Sequence, residues 1–487
     1  MGAAGLLALL AGLVAGILAG DRLPPAPATA TLGAAAAVAV VATTRRGRMR
    51  LAVGALACAL LGAALTQRAH HGLVESPLSA AIESRADARI TVSLVDDADG
   101  GPYNARVLVR VALVDGRDAG GRTVLVTAGG DTGARLRLLA AGDRVELDGW
   151  FQPLAGTDRR LRWRHAVAHF DAVALIGFEE PTSPLLRVAN ALRARVLDGA
   201  ERLPSPDGPL VAGFLLGDRR AVPFPVEQDF RDAGLSHLLA VSGANVVFVL
   251  ALVGPILRRL SLRGRLAGGL AVLVVFGAMT RWEPSVLRAC AMAACSMAAV
   301  YLGRPTAGLR VLVLAALALL VVDPFLLHSI AFLLSCGASA GIVVLGDPLQ
   351  RRLRGPRWIR EALGVTVAAQ VGVAPVLIPV FGSIPLATLP ANVLAVPAAG
   401  PLTVWGLVAG VASNAVAGWW PGLADALQVP TFVLVRYVRA VAEAFAPVPI
   451  SVDLLGASVI ATLVAAIGMA RRRRRSTVAG NGVVPDR

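Results

Sequence analysis

Lysine is absent from this sequence; all 47 basic residues are arginine. Beside the abundance of Ala, Gly and Val this reads as a base-composition bias, so the preference for arginine is no sign of phosphate recognition. Cysteine is scarce. Cys58, Cys290, Cys295 and Cys336 fall in apolar segments without paired metal-ligand spacing, which makes them small buried hydrophobes rather than a disulfide framework or a redox centre. The histidines, His70, His71, His165, His169, His237 and His328, are scattered. They offer no His and Asp cluster for a binuclear centre, so the expectation is no metal and no cofactor. A P-loop is missing too, which excludes a built-in nucleotide motor.

Apolar residues are in excess: 56% of 487 positions, with a mean hydropathy of +0.67, beyond the usual share of a soluble globular chain. The expectation is a polytopic α-helical membrane protein of about ten to twelve spans. Apolar segments at about 4–20, 28–43 and 51–66 open the chain. The first has no basic region before it and more apolar segments close behind, so it reads as a retained span rather than a cleaved signal peptide. Basic loops recur at Arg45–Arg50, Arg258–Arg265, Gly303–Arg310, Gln350–Arg360 and Arg471–Arg475. The positive-inside tendency puts these in the cytoplasm and the links around Glu283, Asp323 and Ser451, poor in basic residues, outside. Topology thus accounts for most of the net charge of +15. From Pro385 to Pro430, Pro, Gly and Trp interrupt the apolar runs, as in broken helices.

Between about Ser76 and Glu180 the period changes to two. ARITVSLV, NARVLVRVALV, RTVLVTA, DRVELDGWF and RWRHAVAHFDAVAL alternate apolar with polar residues between Gly, Asp and Asn clusters, the pattern of half-buried antiparallel strands. About five strands in about 100 residues suit a small closed barrel of OB-fold type, lying outside because the third span leads out. Trp150, Phe151, Trp163 and Phe170 are candidate stacking platforms for single-stranded DNA, with Arg160, Arg162 and Arg164 as a local basic run. Asp96, Asp97, Asp99, Asp115, Asp118, Asp143, Glu146 and Asp148 weigh against binding. The alternative puts the aromatics in the barrel core and the arginines on a solvated strand edge.

Pro184–Leu203 opposes Leu185, Leu186, Val188, Leu192 and Val196 to Arg187, Arg193 and Arg195, an amphipathic helix expected to lie on the outer membrane surface. Gly208–Gly217 is apolar but short, as a re-entrant segment would be. Beside it Asp218, Arg219 and Arg220 either meet a phosphate backbone or form local ion pairs.

The chain is organised around Phe230–Leu250, FRDAGLSHLLAVSGANVVFVL, where His237, Ser242, Gly243 and Asn245 interrupt an apolar run. Polar groups at the mouth of a span are costly, so they either line a polar path or bond between closely packed helices. Arg288, four residues after Pro284 in an apolar helix, must snorkel, pair or face water. Gln370 and Asn392 are uncharged polar groups in apolar segments, where hydrogen bonding between helices is the plain alternative to a path role. Ser242 lacks a G-x-S-x-G elbow and an ordered Asp/His pair, so a serine nucleophile is disfavoured.

GLSHLLAVSGANV closely resembles the signature of the ComEC competence family. LLGDRRAV (Leu215–Val222), PSVLRACAM (Pro284–Met292), DPFLLHSIAFLLS (Asp323–Ser335), AQVGVAPVLIPVFGSIP and PANVLAVP follow in the family's order, over roughly residues 210–397. The resemblance implies an inner-membrane channel that imports single-stranded DNA in natural transformation, with an OB-like domain where the alternating segment lies. It implies separate partners, namely a DNA receptor, a nuclease and a cytoplasmic motor ATPase, and leaves homo-oligomer formation open. Many family members continue into a C-terminal metallo-β-lactamase-like domain, which this sequence is expected to lack.

The expected organisation is N-terminal transmembrane helices over 1–70, an extracytoplasmic OB-like β-domain over 71–182, an amphipathic helix and channel mouth over 183–230, a competence-type transmembrane domain over 231–472 and a basic cytoplasmic tail over 473–487. The path candidates are Asp218, Arg219, Arg220, His237, Ser242, Gly243, Asn245, Arg288, Gln370 and Asn392, with no catalytic residue. The competing class is an integral-membrane enzyme acting on lipid or cell-envelope intermediates, with His237, Ser242 and Arg288 gathered in a lipid-accessible pocket.

Overall fold

The computed structural model describes residues 2–23, 28–44, 46–85, 87–101, 103–304, 306–385, 387–447 and 451–453. The Arg471–Arg475 run and the expected tail over 473–487 lie outside them. The chain opens with helices α1 (Ala3–Gly20), α2 (Ala28–Thr44) and α3 (Gly47–Val74). Gly12, Gly16 and Gly20 of α1 face Ala55, Ala59 and Ala63 of α3, so the two helices run parallel with their backbones in close approach. This spacing of small residues is what lets apolar helices pack without a hydrophobic driving force between them.

A short helix α4 (Ser79–Ser84) leads into β1 (Asp87–Leu94), β2 (Asn104–Val114), β3 (Arg117–Gly129), α5 (Gly130–Leu136), β4 (Arg144–Gln152) and β5 (Ala166–Glu179). The strands close into a barrel in the order β1-β2-β3-β5-β4, with β3 and β5 parallel and the other pairs antiparallel. Alternation fills it: Val145, Leu147 and Phe151 of β4 point inward with Val107, Val109 and Phe170. Phe151 and Phe170 meet edge to face at 4.9 Å, both fully buried, each contributing about 2–3 kcal/mol by burial. They are core residues, which removes them from the stacking platforms.

The rest is helical: α6 (Pro184–Glu201), α7 (Asp207–Leu216), α8 (Phe224–Asp232), α9 (Gly243–Leu257), α10 (Leu262–Met279), α11 (Pro284–Tyr301), α12 (Gly308–Val322), α13 (Ile330–Arg352) and α14 (Arg357–Phe381). After β6 (Ser383–Pro385) come α15 (Thr388–Ala417) and α16 (Pro421–Phe445), and β7 (Ser451–Asp453) pairs back antiparallel to β6.

Among the described residues eight helices are long and apolar enough to cross a membrane: α1, α3, the segment Ser236–Leu257 containing α9, α10, α11, α13, α14 and α15. The ten to twelve expected spans also count the apolar run before Arg471, which lies outside the described residues. At 1.5 Å per residue α7 and α12 reach only about 15 and 22 Å, against about 30 Å of hydrocarbon. The apolar face of α6 is covered by protein: its Ala189, Val196, Gly199 and Ala200 are buried in the helical body, with Gly199 against the Gly410 backbone of α15. One expectation needs correction. The Pro-rich region is not broken at its prolines: α15 runs for 30 residues with Pro397 and Pro401 inside it, and α16 contains Pro430.

The short apolar segment forms α7, which is buried almost throughout and ends where Gly217 adopts φ 74°, a left-handed cap that glycine enters without strain.

Candidate functional site

Ser242 caps α9, and its Oγ donates to Asn245 Oδ1 at 3.1 Å. Asn245, 6% exposed, donates from Nδ2 to the carbonyl of Phe214 at 2.9 Å. That carbonyl belongs to the last turn of α7, where the helix offers no partner of its own. The polar residues of the organising stretch therefore splice the start of α9 to the end of α7. Ser285 Oγ adds a bond to the Val241 carbonyl at 2.7 Å. His237 is exposed on the preceding turn, and no histidine bonds Ser242 among the described residues.

Arg288 of α11 enters the same place. It is 7% exposed, its Nε donates to Ser335 Oγ of α13 at 2.7 Å and its Nη1 contacts Met292 Sδ at 2.9 Å. No carboxylate lies within ion-pair distance of it among the described residues. Its Nη2 sits 2.6 Å from where a Cβ on Gly243 would stand, so glycine there is what admits the guanidinium to the start of α9. A buried cation without a counter-charge costs several kcal/mol. Here it adjoins the free N–H groups and positive end of a helix dipole. Both features repel cations and attract an anion.

The neighbouring charges are spent on each other. Asp218 binds Arg220 through Nε at 2.9 Å and Nη2 at 2.6 Å, and Arg193 at 3.0 Å. Arg193 also binds Asp97 at 2.9 Å, and Arg281 binds Asp97 at 2.6 Å and Asn190 at 2.7 Å. Burial would raise both carboxyls, but Arg193 and Arg281 around Asp97, and Arg220 and Arg193 around Asp218, outweigh it and hold both below the usual range. This knot joins the loop after β1 to α6, the end of α7 and the turn after α10. Asp97, Arg193 and Arg281 were missed from the sequence. Arg193, assigned there to the polar face of a surface helix, is 5% exposed. With Arg281 standing 184 positions after Asp97, no local spacing could have disclosed the pair. Arg219 stands apart, half exposed and 3.4 Å from Glu227. Glu283, at the cap of α11, is pushed up by burial and only partly drawn back by Arg219.

On the barrel, Trp163 is stacked on His328 at 3.8 Å and 15°, edge-on to His70 and Phe325, with Arg162 4.3 Å from its centroid. His328 and His70 share Asp21, at 2.9 and 3.1 Å. This indole fastens the barrel to the ends of α1 and α3 and the turn before α13. Arg164 pairs with Asp96, Arg160 is exposed and Trp150 is half-buried on β4. Gln370 lies in α14 and Asn392 in α15; their side-chain oxygens are buried without a protein hydrogen-bond partner. No group of three or more His, Cys, Asp or Glu side chains could hold a metal ion among the described residues.

Comparison with known proteins matches these elements. The family model described as Competence protein matches residues 214–475, more than half of the chain. ComE operon protein 3 of Bacillus subtilis (strain 168) is 27% identical over 260 residues, 52% of this chain and 32% of that protein. The uncharacterized protein YcaI of Escherichia coli (strain K12) is 28% identical over 233 residues, 44% of this chain and 30% of its own. The matches thus span about a third of these relatives' length. No solved structure matches. The matched region runs from the last turn of α7 through Ser242, Asn245, Arg288 and α15, and by its extent the chain belongs to the competence protein family.

Proposed function

We propose that this is a multi-pass inner-membrane protein through which single-stranded DNA enters the cytoplasm during competence. The family, the ComE operon relative and eight helices of spanning length support the reading. The observation that carries it is Arg288, a buried guanidinium with no carboxylate partner at the start of α9. A phosphodiester passing there meets a charge that no internal acid has cancelled, and Arg offers it a planar fork of donors.

The barrel, with β5 between β3 and β4, supports an OB-like extracytoplasmic domain at the entrance. Arg160, Arg162 and Trp150 remain its candidate DNA contacts. Arg219, less tightly held than Arg220, is the mouth residue best free to meet the strand. A receptor, a nuclease and a motor ATPase would be separate proteins, and the chain itself would act as a passage and not an enzyme.

The test is uptake of labelled DNA into the cytoplasm by cells carrying wild-type, Arg288→Ala or Arg288→Lys chains at equal membrane levels. The proposal expects Ala to lose at least tenfold with surface binding retained, and Lys to recover part of it. Full uptake by the Ala variant removes Arg288 from the path. Unchanged uptake after deletion of the whole chain overturns the function.

A further inference from the structure

We propose that the turn between α13 and α14 is a binding site for the headgroup phosphate of an anionic lipid. The inference rests on the membrane reading above. α13 starts next to His328, which is stacked under the barrel, and its 23 residues carry it about 34 Å away. The turn therefore sits at the far water boundary, where the chain returns through α14.

Between Arg351 and Arg360 the turn holds five arginines. Arg351, Arg357 and Arg360 surround a cavity of about 230 Å³ with Asp347, Gln350 and Glu361. Glu361 is engaged by Arg357 at 2.6 Å, while Arg360 Nε is buried with no hydrogen-bond partner. Convergent guanidinium groups around a hollow fit a phosphate, whose oxygens take paired N–H donors.

Trp358 in the same turn is 61% exposed. An indole left in water at the end of two spanning helices is placed where bilayer headgroups hold Trp, beside basic residues drawn to anionic lipid. The arginines alone would suit any polyanion. The exposed ring beside them at the bilayer boundary favours lipid over a free strand.

The experiment follows thermal unfolding of the full chain in detergent, titrated with short-chain phosphatidylglycerol or phosphatidylcholine. Phosphatidylglycerol is expected to raise the Tm and phosphatidylcholine to leave it unchanged. In the combined Arg351→Ser, Arg357→Ser, Arg360→Ser variant the phosphatidylglycerol concentration needed rises at least tenfold. Glu361→Gln, which frees Arg357, lowers it about twofold, and decides the question by itself should the triple variant not fold. An equal response of the wild type to both lipids overturns the proposal, as does an unaltered response in the variants. So does single-stranded oligonucleotide binding that the triple variant loses without any phosphatidylglycerol effect, which would assign the turn to nucleic acid. Flotation with phosphatidylcholine vesicles separates the two readings. A chain that floats yet ignores phosphatidylglycerol fails this proposal alone, and one that stays in the aqueous fraction without detergent fails the membrane reading with it.

Discussion

Gly243 and Arg288 form a pair in which the absence of one side chain makes room for the other. A methyl on Gly243 would press chiefly on the far end of a flexible arginine, with a close but lesser contact to the Ala289 methyl at 3.3 Å and none to backbone, so the helix survives while the guanidinium moves. Gly243→Ala is accordingly expected to change stability by less than about 1 kcal/mol but to lower DNA uptake about tenfold, the equivalent of about 1.4 kcal/mol of lost contact. Thermal unfolding and uptake measured side by side check it. Asp97 behaves oppositely. It has three arginine partners, Arg193, Arg281 and, more distantly, Arg220, and little exposure, so Asp97→Asn leaves buried cations short of charge and is expected to cost about 3 kcal/mol, read as a lower Tm. Because Asp97 and Asp218 are held below the usual carboxyl range, their contribution is complete above the ordinary value of about 3.9 and is lost as pH falls through the lower folded value. Hydrogen exchange in α6 is expected to be constant from pH 7 to about pH 4, after correction for intrinsic rates, and to rise below that.

Among the elements, those set by hydropathy or by strand alternation were readable from the sequence, and those set by distant charge were not. The five strands follow from a period of two that survives in Val145, Leu147 and Phe151, and the start of α9 was visible as polar residues in an apolar run. The role of α6 was hidden, because Arg193 looks like a solvent-facing residue until Asp97 arrives from another domain. Trp163 looked like a platform for bases because its partner His328 stands 165 positions later in the sequence. The continuity of α15 through Pro397 and Pro401 was equally hidden, since a proline inside a membrane helix is tolerated when neighbouring helices satisfy the freed groups. The α13–α14 hairpin rests on Gly337, Gly341 and Gly372, where a Cβ on Gly372 would strike the Gly337 carbonyl. Gly372→Leu is expected to separate these helices and lower stability by about 2–4 kcal/mol, seen as an earlier unfolding transition in detergent.

At the scale of the whole molecule, one end carries the barrel and the other carries two arginine-rich turns. Asp21, His70, Arg281, Asp323 and His328 meet the barrel or its feet, while Arg258–Arg265 and Arg351–Arg360 lie at the opposite ends of α9, α10, α13 and α14. In a cysteine-free background, Gly156→Cys is expected to react with an impermeant thiol reagent on intact spheroplasts and Gly355→Cys only after permeabilisation; the reverse pattern would invert the topology.

The barrel is attached to the helices twice, through the Asp97 knot after β1 and through Trp163 ahead of β5. A body fixed at a single point swings in any direction; one held at two separated points keeps only rotation about the line joining them. For the barrel to lift away, the Asp97 knot and the Trp163 stack must part together, so weakening either one alone leaves it tethered by the other.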